Sequence, residues 1–213
     1  MLLIRKRDDG DLPGCVSVVR SVHLTDGYPA IWPSDPARWL TCGHSDTDAW
    51  VATDDLGLVR GHFAVLVGEE DEVFQSYIKC RPQELLSLVR FFVDPAFLGR
   101  GAGVALLCAT LQYARGHGLQ PVLEVAADGG ATIHLYERLG WSRRGERQAD
   151  WTNPACPGST STGRRCSGPS DFADAADQVT SLGFRPNLYW GLVHFTSGPG
   201  KAAVQQASMA TTP

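Results

Sequence analysis

Apolar positions along the chain switch between strand-like runs and helical spacing in a regular order. Leu2–Lys6 predicts a short strand, closed by the turn signal Asp8-Asp9-Gly10. Asp11, with Pro13 in the first turn, opens a helix whose buried face is expected at Val16, Val19, Val22 and Leu24. The loop from Asp26 to Pro33 carries aromatics, and Asp35-Pro36 opens a second short helix ending at Leu40. Strands are predicted at Ala49–Thr53 and Leu58–Val67, joined by the hairpin signal Asp54-Asp55-Leu56-Gly57. The acidic stretch Glu69–Glu72 reads as a solvated loop, and Leu86–Val93 as a further strand. A helix follows from Val104 to about Arg115, apolar at 104, 107, 111 and 114, and ended by Gly116 and Gly118. Pro121–Ala126 is a strand, Ala131–Leu139 a helix stopped by Gly140, and Arg143–Trp151 one more strand.

Beyond Trp151 the pattern changes. Residues Thr152–Ser170 are rich in Pro, Gly, Ser and Thr and predict a flexible loop. Asp171–Leu182 has helical spacing, Asn187–Phe195 reads as a strand, and Gly198–Pro213 as a mobile tail. The expected organisation is one domain over 1–151 and an appendage over 152–213. The helix and strand of that appendage either complete the first domain's sheet or stand apart from it. The likeness of Leu135–Trp141 to Gln178–Phe184 reads as a chance recurrence of a helix followed by Gly and an aromatic, with an internal repeat as the alternative.

Composition narrows the class. With 43% hydrophobic and 20% charged residues, the 213-residue chain can bury a sizeable core. Its 19 basic and 23 acidic residues give a net charge of −4, which argues against a nucleic-acid partner. No apolar stretch is long enough to span a bilayer, and Leu2–Ile4 is far too short for a secretory signal, so no membrane role is expected and a cytoplasmic location is. The six cysteines form no Cys-x-x-Cys pair and no zinc spacing, so free thiols and no metal are expected.

One segment carries chemistry. Gly99-Arg100-Gly101-Ala102-Gly103 lies between a predicted strand and a predicted helix. Closely spaced glycines let a ligand approach the backbone, and the first amides of the helix face an anion, with the helix dipole adding attraction. A phosphate or pyrophosphate is the natural guest. The loop lacks the Lys-Ser/Thr of a nucleotide-triphosphate loop and the third glycine of a dinucleotide fingerprint.

Two runs in order, VDPAFLGRGAGVALL (Val93–Leu107) and LEVAADGGATIHLYERLGW (Leu123–Trp141), resemble the GNAT superfamily of N-acetyltransferases. In the first, Gly101 and Gly103 occupy the glycine positions of the acetyl-CoA pyrophosphate loop. In the second, Tyr136, Gly140 and Trp141 fall on the tyrosine, glycine and aromatic positions of the family's last motif. The resemblance covers about two thirds of the chain, 1–151. It departs at Leu98, where the family usually has Arg or Gln, and at Asp128, near a usual Asn. It implies an α/β acyltransferase fold, a mixed and mostly antiparallel sheet flanked by helices, with acetyl-CoA in a splay between two central strands and no metal cofactor.

The resemblance also implies roles. Acetyl-CoA would be held by Phe92, Val93, Leu98, Gly99, Arg100, Gly101, Ala102 and Gly103, with a main-chain N–H around Phe92–Val93 facing the thioester oxygen. An amine acceptor, with a pKa of about 10.4 when lysine-like, must lose a proton before attack. The departing thiolate must gain one, and Tyr136 is positioned for that. Glu124 on the fifth strand and His62 in Gly61-His62-Phe63 are the candidate bases, against a solvated strand face for the first and a satisfied sheet histidine for the second. Glu84 has poor register and His134 reads as surface. Asp26, Tyr28 and Trp32 sit in the loop that closes over the acceptor, where a carboxylate and aromatics suit a cation or simply pack. The implied reaction is acetylation of a small-molecule or peptide amine by direct attack in a ternary complex. The rival reading is a catalytically weak acyl-CoA sensor or interaction module. A homodimer is compatible with either, and the sequence leaves the oligomeric state open.

Overall fold

The computed structural model describes residues 1–29, 31–42, 48–68, 81–126, 136–137, 139–148 and 188–194. The elements in chain order are β1 (Leu3–Lys6), α1 (Leu12–Asp26), α2 (Pro36–Leu40), β2 (Ala49–Thr53), β3 (Val59–Val67), β4 (Leu85–Val93), α3 (Ala102–Gly116), β5 (Gln120–Ala126), β6 (Trp141–Gln148) and β7 (Leu188–His194). The strands form one sheet in the order β1-β2-β3-β4-β5-β7-β6. β1 to β4 pair antiparallel. The other half, β4-β5-β7-β6, is parallel throughout. The expected mixed sheet is present, and its antiparallel character is confined to the first four strands.

Helices cover both faces. α3 lays Leu106, Leu107 and Leu111 on Phe63, Leu86, Leu88 and Leu123. On the opposite face α1 and α2 bury Cys15, Val19, Val22 and Leu40 against Val51 and Phe92. Each such aliphatic side chain contributes roughly 1.5–3 kcal/mol by leaving water. The buried face of α1 runs through Cys15, Val18, Val19 and Val22, whereas Leu24, expected there, is 80% exposed. Burial at 15, 18, 19 and 22 keeps the 3–4 spacing, and 24 falls off that stripe.

Local signals explain most boundaries. Asp35 accepts a hydrogen bond from the Arg38 amide (2.9 Å) and caps α2, with Pro36 at its first position. Asp54 Oδ1 accepts from the Leu56 and Leu58 amides (3.0 and 2.9 Å), closing the β2–β3 hairpin as expected. Asp11 was expected to cap α1, but its carboxylate instead receives the Arg5 guanidinium through two bonds (2.7 and 2.6 Å) and the Asp8 amide (2.9 Å). A charged fork outcompetes a single helix amide for the same oxygens. α3 starts at Ala102 rather than 104, because Gly101 adopts a left-handed conformation (φ 78°) and admits the helix there. β6 begins at Trp141, two residues early, because Gly140 (φ 83°) turns the chain and Trp141 is buried at once.

β7 lies between β5 and β6, pairing Leu123 with Trp190 and Arg143 with Trp190. Parallel neighbours cannot be joined by a tight hairpin, so the chain needs a long return before β7. The stretch between β6 and β7 supplies that length. Of the expected helix Ala131–Leu139, Tyr136 and Glu137 are helical and Leu139 lies in the turn before β6; the rest lies outside the described residues, as do the loop, helix and tail expected at 152–170, 171–182 and 198–213.

Candidate active site

The cleft begins where two parallel strands stop pairing. β4 and β5 match only at Leu85, Leu86 and Ser87 against Gln120, Pro121 and Val122. Beyond Ser87 they separate, and the opening is lined by Leu88, Val89, Arg90 and Phe91 of β4 and by Leu123 and Glu124 of β5. Phe63, Tyr28 and Tyr136 complete its walls.

A bulge in β4 shapes this opening. Ala64 pairs with Val89 but His62 with Phe92, so β4 carries one extra residue. Arg90 is left-handed (φ 54°), a conformation that costs a side-chain-bearing residue of order 1–3 kcal/mol. The bulge inverts the alternation of the strand. Leu86 and Leu88 pack under α3, and past the bulge Phe91 and Val93 do so instead of Phe92. Phe92 thereby turns toward α1 and stacks on His62 with ring centroids 5.1 Å apart.

His62 is the centre of that support. It is fully buried, its Nδ1 donates to the Arg90 carbonyl (2.8 Å), and its Nε2 accepts from Arg7 Nη1 (3.0 Å). Burial, with the nearby Arg7 and Arg90 charges, pushes its pKa down to about 3. Both ring nitrogens are engaged inside the protein and no face reaches the cleft, which corrects its reading as a candidate base. The sequence places a histidine in a strand, and only the fold shows which groups meet it.

The other expected residues divide. Glu124 is 6% exposed and lies in the cleft wall, so a solvated strand face is not its environment. Tyr136 is 4% exposed in the same wall, edge-on to Trp141 with centroids 5.6 Å apart. Burial, with Tyr28 adding to it, raises its pKa and keeps the phenol protonated. Tyr28 also reaches the cleft, packed between Trp39 and Phe92. Asp26 and Trp32 do not join it. α1 continues through Asp26 until Gly27 (φ 75°) ends it, so Asp26 is half-buried helix, with its carboxyl pKa raised by burial. Trp32 folds back on α1, against His23 (centroids 5.2 Å) and beneath the Arg20 guanidinium (5.2 Å).

The glycine loop sits at the start of the 15-residue α3, whose first turn holds no acidic side chain. A side chain at Gly101 would meet no atom within 4 Å, so a ligand can reach the backbone there. Gly103 lets α3 close on β4, since a Cβ would come 3.3 Å from Phe91 Cζ. Leu98 is 52% exposed and supplies no charge. Arg100 lies over the Phe97 ring at 4.6 Å, and Arg60 covers the same ring at 4.3 Å while bonding Asp54 and Asp94. The donor set, helix amides plus one exposed guanidinium, fits a diphosphate.

Backbone alternation fixes one further donor. The Asp94 amide bonds the Arg60 carbonyl (2.8 Å), so 60/94 is a hydrogen-bonded pair and 61/93 the other kind. The Val93 N–H therefore points away from β3, toward the side where β5 has diverged. Of the two expected positions, Val93 offers its amide there, while Phe92 contributes packing. Arg90 was not among the expected site residues. A buried arginine at a bulge leaves no mark in a strand pattern that reads as eight continuous residues, Leu86–Val93.

Among the described residues no group of three or more His, Cys, Asp or Glu could hold a metal, and no helix is long and apolar enough to cross a membrane. Cys15 and Cys42 are buried free thiols and Cys108 is partly buried, with burial pushing Cys15 up to about 12.

A family model described as the acetyltransferase (GNAT) family matches residues 24–141. A mycothiol acetyltransferase of Rhodococcus erythropolis is 48% identical over 52 residues, 24% of this chain and 17% of that protein. The N-alpha-acetyltransferase RimI of Mycobacterium tuberculosis is 45% identical over 56 residues, 26% of this chain and 34% of that protein. The chain thus matches only a sixth to a third of the length of these relatives. A GNAT-family acetyltransferase structure from Staphylococcus aureus superposes with a TM-score of 0.53 at 13% identity, covering 66% of this chain and 84% of that one.

Proposed function

Since the chain belongs to the acetyltransferase (GNAT) family, we propose that it transfers an acetyl group from acetyl-CoA to a primary amine of a small molecule or peptide. The observation that carries this reading is the parting of β4 and β5 after Ser87, with the glycine loop and the start of α3 beside the opening. The amides at the start of α3 and the Arg100 guanidinium would hold the pyrophosphate of acetyl-CoA, with Arg100 taking the place that Leu98 cannot fill. Bound there, acetyl-CoA supplies an activated thioester. The Val93 N–H faces the position where charge develops on the thioester oxygen. Glu124 accepts the proton that the acceptor amine must shed, directly or through water. Tyr136, kept protonated by burial, holds the proton that the departing thiolate needs. A cytoplasmic setting, where thiols remain reduced, suits the free Cys15, Cys42 and Cys108.

The test is thermal unfolding of the full chain with and without acetyl-CoA, followed by an amine screen read by mass. Ligand at about a hundred times its dissociation constant adds roughly 2.7 kcal/mol of stability. A clear rise in midpoint with acetylated product supports the reading. A folded protein with no rise overturns it, and a rise without any product favours the acyl-CoA sensor.

A further inference from the structure

Arg60 and Arg100 lie over the one ring of Phe97, at 4.3 and 4.6 Å from its centroid, but their surroundings differ. Arg60 is locked. Its Nε donates to Asp54 Oδ2 and its Nη1 to Asp94 Oδ2, both at 2.9 Å. It also faces Asp94 across the ladder, where the Asp94 amide bonds the Arg60 carbonyl (2.8 Å). The remaining oxygens of both carboxylates are taken, Asp54 Oδ1 by the Leu56 and Leu58 amides and Asp94 Oδ1 by the Ala96 amide (3.0 Å). Arg100 is exposed, and among the described residues it forms no ion pair and no hydrogen bond. What holds it is the Phe97 ring.

The ring is itself fixed. Phe97 ends the single turn Pro95–Phe97, which Asp94 caps, and its amide bonds the Asp94 carbonyl (2.7 Å). The Arg60 guanidinium then lies against the ring. β3 and β4 thereby set the place of an aromatic three residues ahead of Arg100, at the entry to the glycine loop. A ring offers no lone pair, so it holds a guanidinium without competing with an anion for the N–H donors. A long side chain that is already held gives up little freedom when it binds a ligand, and a loose one gives up much. Arg60, by occupying both aspartates, also keeps them from pairing with Arg100.

We propose that Phe97 is a positioning residue for the cosubstrate: it holds Arg100 ready for the diphosphate of acetyl-CoA, and the cluster of Arg60, Asp54 and Asp94 fixes the ring. This rests on the glycine loop being the acetyl-CoA site. The effect of Phe97 passes through Arg100, and that sets the test.

The experiment is calorimetric titration of the full chain with acetyl-CoA, for the wild type, Phe97→Leu, Arg100→Gln and the double variant. Arg100→Gln is expected to weaken binding roughly 10- to 100-fold, the loss of hydrogen bonds to a charged group. Phe97→Leu, which removes the π face, is expected to weaken it about 2- to 10-fold, the cost of ordering one long side chain. In the Arg100→Gln background the same change is expected to add no further loss, whereas a ring that only supported the loop would cost the same factor in both backgrounds. Phe97→Tyr, which restores a ring, is expected to bind as the wild type does. The 3′-dephospho form of acetyl-CoA keeps the diphosphate and is expected to show the same pattern. Equal factors in the two backgrounds, or no loss in Phe97→Leu, overturns the proposal and leaves the acetyl-CoA site standing. A loss in Arg100→Gln that disappears with the dephospho form places Arg100 on the 3′-phosphate and overturns the diphosphate assignment. If Phe97→Leu does not fold, Phe97→Met is read in the same cycle. A folded wild type that binds no acetyl-CoA overturns both this proposal and the acetyltransferase reading.

Discussion

Protonating His62 should unlock the β4 bulge, and the structure sets the size of the effect. His62 has no access to solvent, its Nδ1–H is committed to the Arg90 carbonyl, and its Nε2 lone pair is committed to Arg7. A second ring proton would point an N–H at a guanidinium N–H and bury an imidazolium near Arg7 and Arg90, against which the bond to the Arg90 carbonyl and the Asp11 charge are too weak to prevail. The folded pKa is about 3, against an ordinary value of about 6.5 for an exposed histidine. Between those values the unfolded chain binds the proton and the folded chain does not. The His62 contribution is therefore complete above pH 6.5 and is lost as pH falls toward 3, at up to about 1.4 kcal/mol per pH unit. From pH 7 to pH 5 the loss is about 2 kcal/mol, and any folded value below about 4 gives nearly the same figure. The comparison is with His62→Asn, whose amide can still donate to the Arg90 carbonyl but does not titrate. Urea unfolding at pH 7 and pH 5, followed by the fluorescence of the six tryptophans, measures both proteins. The wild type should lose about 2 kcal/mol more than the variant over that interval, since other titrating groups cancel in the difference. An equal loss in both would mean that His62 is not held neutral by its burial and its two partners.

Three further outcomes are expected. Tyr136→Phe should lower kcat by on the order of a hundredfold while leaving stabilisation by acetyl-CoA intact, because burial keeps that phenol protonated and in the cleft wall; product measured by mass at an unchanged rate would remove its acid role. Gly101→Ala should cost about 1–2 kcal/mol in urea unfolding, because φ is 78° there, and should shrink the rise in midpoint with acetyl-CoA. Cutting the chain after Trp151 should abolish cooperative unfolding, because β5 and β6 each pair with β7 and lose that partner; a truncated chain that still unfolds cooperatively would show the appendage to be dispensable.

The sequence by itself determined whatever a few neighbouring residues can decide. Asp35 caps a helix, Asp54 closes a hairpin, and glycines before an apolar helical stripe mark the start of α3, because each needs only contacts within about four residues. The spacing of Tyr136 and Gly140 from that loop was equally legible, and the family follows from those motifs. What the tertiary structure alone decided depends on partners far apart in the chain. The strand pattern of Leu86–Val93 conceals the bulge at Arg90, because a bulge exists only against the neighbouring strand that counts one residue fewer. His62 can be read as a base or as a satisfied sheet histidine, and Arg7, 55 positions away, is part of what fixes the second. The same holds for β7. Its strand pattern was visible, but its place between β5 and β6, and its parallel direction, come from hydrogen bonds that no local pattern encodes. The cleft, and the opposite charges in its wall, are products of that long-range pairing.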